Sequence, residues 1–239
     1  FLTASSFLSN FFQKEKESSE IKIAYQEWSR FLSIAYDKFE SSENVFITHT
    51  YLSIFSRLLT YEVITKDTYI DENETLEIIS GRIFEKLNIQ NFTDNDFFSW
   101  VSSKKAIKYL QPMLRAITSE FDEFDFTHIS EDILKGVYQD LIDIDTKQRL
   151  GEYYTPDWLC EDILNNLDLK VSSKVLDPSC GSGSFLRAAI NKFNEKFEDL
   201  SADQIAGQVF GFDIHPLSVQ ISKATVLISL KDKIRNSHK

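Results

Sequence analysis

The chain has 239 residues, 42% of them hydrophobic, which suits one large domain or two small ones and excludes wholesale disorder. A formal net charge of −11 argues against the chain as a whole gripping nucleic-acid phosphates. Two isolated cysteines are too few for a disulfide framework or a zinc site and fit a reducing, cytoplasmic setting, while seven Gly and four Pro predict long helices and little loop.

The opening stretch FLTASSFLSNFF is apolar but has no basic n-region and no small-residue cleavage site, so it does not read as a signal peptide. The chain begins at Phe1 rather than Met, which suggests a piece excised from something longer. Over 19–40, Ile21, Tyr25, Trp28, Phe31/Leu32, Ala35/Tyr36 and Phe39 recur at helical spacing and predict a core-facing helix. A second helix over about 45–65 is apolar on most sides and therefore central. His49, Arg57 and Glu62 interrupt its apolar run, so it is a buried helix and not a membrane span. Segments 74–88 and 103–119 also read as helices. Between them, DNDFFSW (94–100) places large side chains in a loop or helix start, as a packing staple. Nothing repeats at a fixed period.

The texture changes near residue 130. The stretch 120–145 carries many carboxylates against a single base, Lys135, a poor surface for DNA; any basic grip on DNA lies elsewhere. SEDILKGVYQDLI reads as a helix capped by Ser130. Then GEYYTP (151–156) ends in Thr155-Pro156, a good N-cap and N1 pair for a helix whose Leu159, Ile163 and Leu167 share one side. KVLDPSCGSGSFLRAAINKF and GQVFGFDIHPLSVQISKATVLISL both follow the order strand, tight loop, helix. The expected organisation is α + α/β: an all-helical unit over 1–145, then the beginning of a doubly wound sheet over 146–239.

The glycine loop in VLDPSCGSGSF (175–185) has several readings. A phosphate-binding P-loop needs Gly-Lys-Ser/Thr, which is absent. A nicotinamide-binding loop wants a third glycine, and Leu186 stands there. An ordinary tight turn is the plain alternative. No Lys or Arg lies between Val175 and Leu186, and Asp177 guards the entrance. Negative charge there opposes a phosphate and suits a cation, such as the sulfonium and ammonium of S-adenosylmethionine. Glycines let backbone approach such a ligand closely. Asp213 closes the second predicted strand, where ligands of open α/β sheets lie. Its two oxygens can accept from both ribose hydroxyls, with Ile214 packing on the adenine; the plain alternative is a cap ahead of Pro216.

Together, LGEYYTP, VLDPSCGSGSF and GFDIHPLSVQISKATVLI resemble the adenine-N6 DNA methyltransferases of restriction–modification systems, both type I methylation subunits and fused type IIG-like enzymes. The likeness runs from Glu131 to Leu230. More weakly, VFITHTYLSIFSRLL and GRIFEKLNIQNFTDNDFFSW resemble the helical N-terminal region of the fused enzymes. The resemblance implies a helical domain before a Rossmann-like class I methyltransferase core, truncated here, with S-adenosyl-L-methionine as cofactor. It implies that Glu152, Tyr153, Tyr154, Thr155 and Pro156 border the methionine part. Asp177, Pro178, Gly181, Ser182, Gly183 and Phe185 would wrap methionine and ribose, Asp213 would take the ribose hydroxyls and Ile214 the adenine. Cys180 fills a small-residue slot and is not a nucleophile.

The family's Asn/Asp-Pro-Pro-aromatic motif is absent, because Pro112, Pro156, Pro178 and Pro216 are nowhere adjacent. The expectation is therefore a fragment inert by itself, with no catalytic residue of its own and no metal. Duplex DNA would be a partner of the full-length protein, together with specificity and endonuclease subunits or fused domains, and no membrane. An incomplete sheet leaves an open strand edge, which predicts homo-oligomers of the fragment. Two other functions stay open: a non-catalytic subunit-interaction module with a vestigial cofactor loop, and a methyltransferase acting on a protein or small molecule.

Overall fold

The computed structural model describes residues 2–36, 41–67, 71–92, 97–121, 123, 133–141 and 155–237. Helix α1 (Leu2–Glu15) opens the chain and buries Leu8, Phe11 and Phe12 on one face. The i, i+3, i+4 spacing of these three residues is the helical signal this stretch carries. Helix α2 (Ser19–Ala35) is shorter than expected; Tyr36 closes it and 37–40 lie outside the described residues. Ile21, Trp28 and Leu32 face inward, whereas Phe31 is 39% exposed.

Helix α3 (Glu43–Thr65) is the axis of the fold, buried on nearly every side, His49, Arg57 and Glu62 included. The Ser42 side chain caps its start by accepting from the Val45 amide, and Lys66 ends it in the left-handed region. The single helix expected over 74–88 is two: α4 (Glu72–Ser80) and α5 (Arg82–Lys86). Gly81 breaks them at φ 82, where its amide donates to the Ile78 carbonyl, a conformation that costs glycine least. A 3-10 turn (Ser99–Val101) precedes α6 (Lys104–Phe121). Phe98 and Trp100 are buried, as the staple reading expected, and the Trp100 indole donates to Thr50 Oγ1 at 3.1 Å.

Helix α7 (Ile133–Leu141) follows; its expected cap, Ser130, lies outside the described residues. Then come α8 (Asp157–Asn165), β1 (Val175–Asp177), α9 (Ser184–Lys196), α10 (Ala202–Ala206), β2 (Val209–Gly211), α11 (Pro216–Ser229) and α12 (Lys231–Ser237). The strands pair in parallel, Val175 opposite Val209 and Asp177 opposite Gly211, with α9 and α10 as the crossover that parallel pairing requires. Among the described residues the protein is thus mostly helical with a small two-stranded parallel sheet. One face of the sheet packs Val175 and Val209 against α9, while Leu176 and Phe210 on the other are 55% and 41% exposed.

Helix α11 belongs in sequence to the strand–loop–helix part but lies against α3. Leu217, Ile221 and Ala224 complete the core built by the first seven helices. Gln220 of α11 donates to Ser53 Oγ of α3 at 2.9 Å, a polar knot within that apolar contact. The loop leading out of β2 is therefore anchored to the helical core. No helix among the described residues is long and apolar enough to cross a membrane.

Candidate functional site

The two strands end side by side, and the backbone ladder continues past them. Phe212 N donates to the Asp177 carbonyl and Cys180 N to the Phe212 carbonyl, each at 2.9 Å. Beyond β1 the Asp177 side chain accepts from Ser179 N at 3.0 Å, which bends the chain into the glycine loop. Gly181 and Gly183 take φ 51 and 93. A Cβ on Gly183 would stand 3.2 Å from Cα and Cβ of Ser222, so this glycine lets α11 approach the start of α9. Gly211 lets β2 lie close to α9 and the glycine loop, because a Cβ there would meet Leu186 Cδ1 at 2.7 Å and Cys180 Sγ at 3.0 Å.

Asp213 ties the two strand ends together. Its Oδ2 accepts from Gly181 N and its Oδ1 from His215 N, both at 2.8 Å. The cap of α11 is His215, whose Nδ1 accepts from Ser218 N at 3.4 Å, with Pro216 at the first helical position. Asp213 thus sets the turn before the cap without being the cap. The carboxylate is half-buried, and Ile214 beside it is 56% exposed. Ser182 and Gly183 are buried, Phe185 half-buried and Pro178 exposed.

Cys180 is 6% exposed and its thiol is pushed up to about 11, chiefly by burial, with the carboxylates of Asp213 and Asp177 adding. A thiol so protonated is no nucleophile, which agrees with the packing slot read from the sequence. The same field from two carboxylates marks the loop mouth as negative.

The segment before α8 reaches this loop through groups the sequence reading did not single out as functional. Helix α8 starts at Asp157 with Pro156 as its N-cap, one residue later than expected. Its buried face carries Cys160 and Leu164, not Ile163 and Leu167, which are 41% and 48% exposed. Long-range bonds set that rotation. Asp157 Oδ1 accepts from Lys135 Nζ of α7 at 3.0 Å, and its Oδ2 pairs with Arg187 Nη2 of α9 at 3.0 Å. Lys135 also donates to the Thr155 carbonyl at 2.7 Å and to Ser184 Oγ at 3.2 Å. Burial works against the Asp157 carboxylate, yet the Lys135 bond and the Arg187 charge hold its pKa below the ordinary value. The only sequence signal for this cluster was a lone lysine in an acidic stretch.

The structure thus gathers Asp177, Pro178, Gly181, Ser182, Gly183, Asp213 and Ile214 at the carboxyl ends of the strands. Thr155 and Pro156 are joined to that loop through Lys135 and Ser184. Glu152, Tyr153 and Tyr154 lie outside the described residues. Among the described residues no group of three His, Cys, Asp or Glu could hold a metal ion.

Residues 129–236 match the family model described as N-6 DNA Methylase. The chain is similar to the methylase subunit of the type I restriction enzyme EcoEI of Escherichia coli, at 28% identity over 105 residues, covering 42% of this chain and 21% of that one. It is 37% identical over 76 residues to the MjaVII methylase subunit of Methanocaldococcus jannaschii, covering 31% and 13%. The MjaIX methylase subunit of the same organism is 29% identical over 117 residues, covering 47% and 20%. The chain therefore spans about a fifth or less of the length of these curated relatives. No solved structure matches it. This match and these relatives place the chain's likeness to the N-6 DNA methylase family in its C-terminal half, over residues 129–236.

Proposed function

We propose that this chain is the S-adenosylmethionine-binding portion of a DNA adenine-N6 methyltransferase of a restriction–modification system. The observation that carries the reading is the Asp213–Gly181 bond. It joins a carboxylate after β2 to a glycine loop that begins at a second carboxylate, Asp177, with no Lys or Arg in the loop. Such a mouth suits a cationic methyl donor better than a phosphate. The donor set fits: each Asp213 oxygen accepts one amide and keeps a lone pair for a ribose hydroxyl. When bound, the cofactor supplies the methyl group for the exocyclic adenine amine.

In this reading Asp213 holds the ribose and Ile214 the adenine. Asp177, Pro178, Gly181, Ser182 and Phe185 line the methionine and ribose, with Glu152, Tyr153, Tyr154, Thr155 and Pro156 on the methionine side. Gly183 contributes by letting the helices close behind the loop. Residues 1–145 are the helical unit and 146–239 the start of a Rossmann-like methyltransferase domain, with β1 and β2 as neighbouring strands of its sheet. The adenine amine is a poor nucleophile, and polarising it needs hydrogen-bond acceptors and a stacking aromatic around an extruded base. No Asn/Asp-Pro-Pro-aromatic sequence is present in this chain, so it turns over no DNA by itself. Duplex DNA and further restriction–modification subunits are partners of the complete protein.

Calorimetric titration of the chain with S-adenosylmethionine tests this. Saturable heat that vanishes in Asp213→Ala is expected; binding unchanged by that substitution would remove the ribose role. A second reading, an interaction module, draws support from the exposed apolar side chains Leu176, Phe210, Phe212 and Ile214. Light scattering separates the two: self-association without cofactor binding favours the module.

A further inference from the structure

We propose that Lys135 is a positioning residue of the methyl-donor site, a cation lent by the helical unit that fixes the Thr155–Asp157 segment against the start of the glycine-loop helix. This rests on the cofactor site proposed above and assigns to it a residue outside the three motifs.

The geometry is specific. Lys135 stands on α7, 20 residues before Thr155 in the chain. Its side chain is 11% exposed. From there Nζ donates to the Thr155 carbonyl, to Asp157 Oδ1 and to Ser184 Oγ. These acceptors belong to the loop before α8, the first turn of α8 and the first residue of α9, next to Gly183. Arg187, one turn further along α9, takes the other Asp157 oxygen, so Asp157 bridges two cations from two elements.

A buried charge set of this kind adds little net stability, because desolvation offsets the attraction; an apolar side chain of similar volume would pack as well. What it adds is direction. An ammonium with three donors fixes three acceptors at hydrogen-bond distance, which apolar packing does not do. The two segments so joined, Thr155–Asp157 and the glycine loop with the start of α9, flank the same end of the proposed cofactor. Affinity depends on how well they are placed relative to each other before binding.

The test uses the whole chain with Lys135→Met, Lys135→Arg and Ser184→Ala, reading S-adenosylmethionine affinity by calorimetry and amide hydrogen exchange in α8 and α3. Lys135→Met should weaken binding at least tenfold and speed exchange in α8 but not in α3. Ser184→Ala, which removes one acceptor, should weaken it about threefold, and Lys135→Arg should recover part of the loss. Wild-type affinity in both Lys135→Met and Ser184→Ala overturns the inference, as does loss of protection in α3 as large as in α8. Should Lys135→Met not fold, Ser184→Ala decides alone. If the wild-type chain binds no S-adenosylmethionine, the cofactor reading falls. Exchange then judges the clamp: a loss confined to α8 upholds it and no loss refutes it.

Discussion

The Asp213 carboxylate and the Gly181 amide, 32 residues apart in the chain, meet at 2.8 Å. The bond closes a ring running from β1 through the glycine loop, across to the turn after β2. The same carboxylate takes the His215 amide, so one side chain shapes both loops of the site.

Asp213→Ala leaves two backbone amides without their acceptor. A cost of about 1–3 kcal/mol is expected, the penalty for unsatisfied donors, eased where water reaches them. Asp213→Asn keeps one acceptor oxygen and should cost less. Urea denaturation of the two variants checks the order, and equal losses would mean that the amides find other partners.

Two glycines should respond in opposite directions to alanine. At Gly183 the positive φ alone costs about 1–2 kcal/mol, and the new Cβ presses on the backbone of Ser222, so the loss should exceed that. At Gly136, within α7, a Cβ meets nothing among the described residues within 4 Å, and alanine should stabilise by about 0.5–1 kcal/mol. Thermal midpoints of both variants test the pair.

Acid should destabilise the contact between α3 and α11. The rings of His49 and His215 lie 5.1 Å apart, packed among Trp28, Phe98 and Tyr36. Among the described residues neither nitrogen of His49 has a hydrogen-bond partner. Burial lowers the pKa of His215 to about 3 and that of His49 well below its usual value, with His215 adding to the latter. Above pH 6.5 both rings are neutral folded or unfolded. As pH falls from 6.5 towards 3 the unfolded chain binds the protons and the folded one does not, so stability is lost across that window. At pH 5 the loss is about 2 kcal/mol for His215. Urea midpoints at pH 7.5 and 5 measure it, and His49→Leu should shrink the difference.

Arg235 of α12 donates from its guanidinium to the carbonyls of Val63 and Ile64, in the last turn of α3. A cation there satisfies otherwise orphaned carbonyls and complements the negative end of the helix. Arg235→Met should cost about 1 kcal/mol. The loss should appear as faster exchange at the end of α3 with little change at its start.

Much of this protein was legible in its sequence because local chain geometry left few choices. The buried run of α3, the two strand–loop–helix units and the carboxylates at the strand ends all follow from residue type and spacing. The single helix expected over 74–88 failed for a related reason: Gly81 fits a helix interior poorly but is tolerated there, and only the surrounding packing makes it a break. Tertiary structure alone decided which face of α8 turns inward, that α11 completes the core around α3, and that Lys135 reaches the glycine-loop helix. Each of these depends on a partner 20 or more residues away, and local periodicity carries no information about which distant group a side chain will meet.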